Sequence, residues 1–228
     1  MYQNNFDSTT SRVNRNESLL ATHTVLRNTY FLLSLTLLFS AGIAWLAMAM
    51  NAPYPGILIT IIGIFGLMFL TMKLRNSVWG LVSVFAFTGF IGYTMGPMLN
   101  MFIHTYSNGG QLIMTAMGGT GVIFFGLSGY VLMSRRDFSF MRGFLMIGLI
   151  IAVVAILANI FLKIPGLQLA ISAALVVVFS GFIMYDTSRI INNGEQNYIM
   201  ATIALYLDIV NLFQNLLILL GAISGNRN

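Results

Sequence analysis

The chain has 228 residues, of which 57% are hydrophobic and 7% charged, with no cysteine and a formal net charge of +5. A soluble domain carries roughly 25% charged residues to wet its surface, and 11 Lys+Arg with 6 Asp+Glu cannot cover a globule of this size. The missing cysteine excludes a disulfide framework, a thiolate metal site and a cysteine nucleophile.

The apolar residues come in long uncharged runs, as at residues 31–50 and 145–162. A run of about 18 apolar residues is long enough to cross the hydrocarbon layer as a helix. The expected fold is therefore all-α: a polytopic membrane protein with seven transmembrane helices. In chain order, residues 1–27 are polar, rich in Asn, Ser and Thr near the start, and read as a flexible tail. They lack the apolar core and small-residue cleavage site of a signal peptide. Seven spans follow at 28–50, 56–72, 79–103, 111–133, 143–162, 167–188 and 198–221, and residues 222–228 form a short tail. Pro and Gly in Asn51-Ala52-Pro53-Tyr54-Pro55-Gly56 turn the chain after the first span. Ser107-Asn108-Gly109-Gly110, Lys163-Ile164-Pro165-Gly166 and Asn192-Asn193-Gly194 do so after the third, fifth and sixth.

The basic residues orient these spans. Arg12, Arg15, Arg27, Lys73, Arg75, Arg135, Arg136, Arg142 and Arg189 all fall on one side, and only Lys163 and Arg227 on the other. The positive-inside rule places the richer side in the cytoplasm, so the amino terminus is expected inside and the carboxyl terminus outside. The positive charge then serves topology and lipid headgroups, and no nucleic-acid partner is expected.

Glycines at Gly63 and Gly66, at Gly89, Gly92 and Gly96, and at Gly118, Gly119, Gly121, Gly126 and Gly129 suit close helix packing, which membrane bundles achieve with small residues. Gly96-Pro97 is a candidate kink, because proline removes one helix hydrogen bond. The fifteen methionines read as adaptable packing, since neither Cys nor His clusters with them.

Two carboxylates, Asp186 and Asp208, lie within or against spans. Asp208 sits about 15 Å into the seventh span at 1.5 Å per residue. A charge at that depth must be paired, hydrated or protonated. The midpoint of the two aspartates is residue 197, in the polar turn, so a helical hairpin brings both to a similar depth. Two facing carboxylates cannot both ionise cheaply and behave as a coupled unit. One shared proton would hold the helices together, and its loss would make them repel or admit Ca²⁺. Tyr206, Asn211 and Asn215 offer polar support and favour a central place for the seventh helix. The purely structural alternative has Asp208 fixing helix register and Asp186 lying in headgroup water beside Arg189. Lys73 and Arg75 anchor the second span or reach inward to the aspartates.

Enzymatic readings find little support. His23 and His104 fall on opposite sides of the membrane, and no zinc-protease, Walker or Gly-x-Ser-x-Gly motif occurs. Gly118-Gly119-Thr120-Gly121 resembles a phosphate cradle but lies at mid-membrane. An intramembrane aspartyl protease would also use two aspartates, but its Gly-x-Gly-Asp surroundings are missing at both. Neither a small-molecule substrate nor a resident cofactor is expected.

The seven-span plan, Tyr185-Asp186-Thr187 and Leu205-Tyr206-Leu207-Asp208-Ile209-Val210-Asn211-Leu212-Phe213 resemble the Bax inhibitor, or transmembrane Bax-inhibitor-motif, family over nearly the whole chain. His23-Thr24-Val25-Leu26-Arg27-Asn28-Thr29-Tyr30-Phe31-Leu32-Leu33, Phe85-Ala86-Phe87-Thr88-Gly89-Phe90, Ala158-Asn159-Ile160-Phe161-Leu162 and Gly194-Glu195-Gln196-Asn197-Tyr198-Ile199 resemble its bacterial inner-membrane branch. The resemblance implies a regulator that binds the membrane AAA metalloprotease FtsH and restrains it. It also implies an alternative, a pH-sensitive calcium leak in which Asp186 and Asp208 sense protons and Lys73 or Arg75 latches the closed state.

Overall fold

The computed structural model describes the backbone of residues 4–164, 166–192 and 194–225, and side chains from His23 onward within those ranges. Its elements are α1 (Asn4–Ala49), α2 (Ile57–Leu74), α3 (Val78–Thr105), α4 (Gly109–Ser134), α5 (Met141–Leu162), α6 (Leu167–Ile191) and α7 (Tyr198–Gly225). All seven are long and apolar enough to span a bilayer, with the first span covering His23–Ala49. The chain is a seven-helix membrane protein, as its apolar runs predict. Where composition predicted an irregular lead-in, the backbone is helical from Asn4. Once the span has nucleated a helix, each further residue costs little to add.

Three of the helices stop where the backbone turns left-handed. Asn51, Arg135 and Lys163 take φ of 50°, 50° and 49° just past α1, α4 and α5. Beyond Asn51, the Ala52 N–H donates to the Ala47 carbonyl at 2.9 Å, which satisfies a carbonyl left free at the helix end. Gly56, at φ 89°, launches α2 from a conformation that a side chain would strain.

The core sits along α3 and α7, each with half of its span buried, whereas α2 and α5 have few fully buried residues. α7 packs against α1, α3, α4 and α6, while α2 leans on α3 and α5 on α6. The central place is therefore shared between α7 and α3. Outward faces carry large apolar side chains such as Ile62 and Phe65 on α2 and Ile150 and Phe161 on α5, as a lipid solvent requires.

α1 and α3 approach closely because of glycine. A Cβ at Gly92 would run into the Ser40 carbonyl oxygen, and one at Gly96 would lie 2.5 Å from the Ala47 Cβ. α3 continues as helix through Pro97 to Thr105. The glycines of α4 behave otherwise. Added Cβ atoms at Gly118, Gly121, Gly126 and Gly129 would meet nothing within 4 Å, and one at Gly119 only Leu216 at 3.8 Å. The packing role expected of that stripe is not what the structure shows. α4 packs through the opposite face, with Ala116, Thr120, Phe124, Ser128 and Val131 buried.

Candidate functional site

The most polar part of the interior lies where α6 turns into α7. Asn197 caps α7: its Oδ1 accepts from the backbone N–H of Ile199 and Met200 at 3.0 and 3.1 Å, satisfying donors that a helix start leaves free. Its Nδ2 donates to the Arg75 carbonyl at 3.1 Å and to the Asn76 Oδ1 at 3.0 Å, tying the turn to the end of α2.

One turn before the end of α6, Arg189 lies three residues after Asp186. The two are then neighbours on one helical face. Arg189 Nη1 stands 3.2 Å from Asp186 Oδ1, and Nη2 stands 3.3 Å from Glu195 Oε2. Its guanidinium carbon lies 5.6 Å from the Tyr185 ring centroid. The Asp186 carboxyl in turn lies against that of Asp208 on α7. Both aspartates are buried, at 9% and 6% exposure, and Asp208 Oδ2 has no hydrogen-bond partner among the described residues. Four charged side chains thus form a line from the interior to the turn: Asp208, Asp186, Arg189, Glu195.

This line is held by buried hydroxyls. Thr187 Oγ1 and Ser128 Oγ lie 3.1 Å apart, joining α6 to α4. Ser188 Oγ accepts from the Phe138 N–H at 2.9 Å and donates to the Arg136 carbonyl at 3.3 Å, joining α6 to the α4–α5 loop. In that loop the exposed Asp137 accepts from both the side chain and the backbone N–H of Ser139, which hold its carboxyl below the ordinary 3.8.

The other polar residues of α7 serve different contacts. Tyr206 is fully buried on the flank facing α1 and α3. Its hydroxyl donates to the Thr88 carbonyl at 3.1 Å and lies 2.6 Å from Ser40 Oγ, which therefore donates to it. Asn211 and Asn215 donate to carbonyls of their own helix, Leu207 and Asn211, both at 2.8 Å. Lys73 and Arg75 are exposed, and the cation that reaches Asp186 is Arg189. Glu195 escaped sequence reasoning, although its place six residues after a helix-end arginine was a usable signal. His23 and His104 lie at opposite ends of the bundle.

Two carboxylates in contact can hold one proton between them, and such a proton would couple α6 to α7. Calcium takes six to eight oxygen ligands. Here the carboxylates press on each other with a guanidinium against one of them, and no group of three or more His, Cys, Asp or Glu occurs among the described residues. Such a donor set does not fit a resident calcium ion.

The family model described as "Inhibitor of apoptosis-promoting Bax1" matches residues 22–226. An uncharacterised protein of Pseudomonas aeruginosa is 54% identical over 202 residues, 89% of this chain and 90% of its own. The Escherichia coli protein named "Modulator of FtsH protease YccA" is 50% identical over 204 residues, 90% of this chain and 92% of its own. An uncharacterised membrane protein of Vibrio cholerae is 48% identical over 95% of this chain and 97% of its own. With a match that covers all seven spans and both aspartates, the chain belongs to the Bax inhibitor family.

Proposed function

We propose that this protein is a multi-pass inner-membrane regulator of the membrane protease FtsH, with its amino terminus in the cytoplasm and its carboxyl terminus in the periplasm. The observation that carries this reading is the 50% identity, over 90% of the chain, to the E. coli modulator of that protease. The division of basic residues supports the orientation. The protein acts by contact: it meets the protease through helix faces and through the amino-terminal segment before Ser18. The test measures degradation of a membrane substrate by FtsH in cells that carry the full chain, the chain lacking residues 1–17, or neither. The full chain is expected to slow degradation and the truncation to relieve that restraint. Equal degradation in all three strains would overturn the proposal.

A second reading is favoured by one specific feature, the contact between Asp186 and Asp208. As a pH-gated calcium leak, the protein would be closed while the shared proton joins α6 and α7, and would open when proton loss drives them apart. Calcium is cargo on this reading. Influx into proteoliposomes between about pH 5 and 8, a range that brackets carboxyl pairs in low dielectric, is expected to depend on pH in the wild type and to lose that dependence in Asp208→Asn. Background flux from both would leave the aspartates as a structural pair.

A further inference from the structure

An apolar cleft of about 730 Å³ runs between α1 and α4, with α3 and α7 at its back. Its α1 wall extends from Tyr30 to Met48, a length of about 27 Å at 1.5 Å per residue. A polymethylene chain, whose carbons sit ~4 Å from their neighbours, fits. The glycine Gly121 opens onto the cleft with no atom within 4 Å of its absent Cβ.

The cleft is graded in polarity. At the Arg27 end lies a second cavity of about 620 Å³ lined by His23, Thr24, Leu26, Arg27, Tyr30 and Leu132, and Tyr30 borders both. Arg27, Tyr30 and Ser34 follow at three and four residues, so they stack along one face of α1. Arg27 makes no ion pair among the described residues, and the Tyr30 hydroxyl is buried without a hydrogen-bond partner. Deeper in, the α1 wall is Leu37, Leu38, Ala41, Ala44 and Met48, with the Ser40 hydroxyl taken up by Tyr206. Cation, phenol, hydroxyl and hydrocarbon follow in that order, complementary to phosphate, glycerol ester and acyl chain.

From this gradient we infer that the α1–α4 cleft is a binding site for one glycerophospholipid, with its phosphate at Arg27 and one acyl chain lying along the cleft. The lipid fills the gap beside Gly121 and completes the contact between α1 and α4.

The full-length chain in neutral detergent is titrated with phosphatidylglycerol and, separately, with monoolein, which has a comparable chain but no phosphate. Native mass spectrometry reads the bound species. One phosphatidylglycerol is expected to persist, with an affinity about tenfold above that for monoolein. Gly121→Leu, or Ala41→Phe from the other wall, should abolish the persistent adduct. Gly126→Leu, equally open but outside the cleft, should retain it. Arg27→Gln should make the two lipids bind alike. A photoreactive label on Met117→Cys in native membranes should capture lipid. Equal binding of both lipids by the wild type, retention by both filling variants, or capture of a second protein chain at Met117 would each overturn the inference.

Discussion

Gly92→Ala tests how α1 and α3 are held together. The new methyl carbon would collide with the Ser40 carbonyl oxygen and lie 2.9 Å from the Ser40 hydroxyl. The obstacle is helix backbone, so α1 must move as a unit. Overpacking of this kind costs about 1–3 kcal/mol. The displacement also stretches the bond between Ser40 and the buried Tyr206 hydroxyl, worth about 0.5–1.5 kcal/mol. Against these stands a gain in helix propensity of at most about 1 kcal/mol. With the full gain subtracted, the balance is a loss of about 0.5–3.5 kcal/mol, or roughly twofold to four-hundredfold in the folded-to-unfolded ratio. Gly121→Ala is the matched control, because its methyl enters open space. Both variants are compared with the wild type by denaturation of the purified protein in mixed micelles. If Gly92→Ala proves as stable as Gly121→Ala, the close approach of α1 and α3 is not what the structure shows.

Tyr206→Phe keeps the ring but leaves the Ser40 hydroxyl and Thr88 carbonyl without their buried partner, and should lower stability by about 1–3 kcal/mol in the same assay. Arg189→Gln removes the cation from both Asp186 and Glu195. With Arg189 one-third exposed, the loss should stay near 1 kcal/mol, and any flux should shift its pH profile; Glu195→Gln should do less of both. At Asp137, hydrogen bonds from Ser139 depress the carboxyl below the ordinary 3.8. Their contribution is present above that value and is lost as pH falls through the depressed one. Ser139→Ala should move the Asp137 midpoint upward in a carboxyl NMR titration, and an unchanged midpoint would remove Ser139 as the cause.

Near-neighbour chemistry was readable along the chain, whereas pairing across helices was readable only where a short polar turn joins them. The ends of α2 to α7 fall within a few residues of the polar breaks, because helix length here is dictated by bilayer thickness and turn residues. Asp186 and Asp208 were singled out because charge inside hydrocarbon is costly wherever it occurs. Placing them together needed only a hairpin centred in a polar turn. Their cation was left open between Arg189, beside Asp186 in sequence, and Lys73 or Arg75 reaching inward. Lys73 and Arg75 stand at the right end of α2 but remain exposed, while Arg189 reaches Asp186 from the same helix. Tyr206 and Asp208, two residues apart on α7, are turned to different flanks by the 3.6-residue helical period, and only the neighbouring helices give each flank its meaning.

The glycines draw the same boundary. By sequence alone, Gly92 and Gly96 on α3 are indistinguishable in kind from Gly118 and Gly121 on α4. Tertiary structure packs the first pair against the α1 backbone and leaves the second pair facing open space. Composition settles which segments enter the bilayer, since burying a segment in lipid depends on the apolar area that segment carries itself. Which faces of those segments meet depends on how α1, α3, α4, α6 and α7 fit against one another. That fit is a property of pairs of surfaces, and it alone decides which polar groups meet and where the α1–α4 cleft stays open.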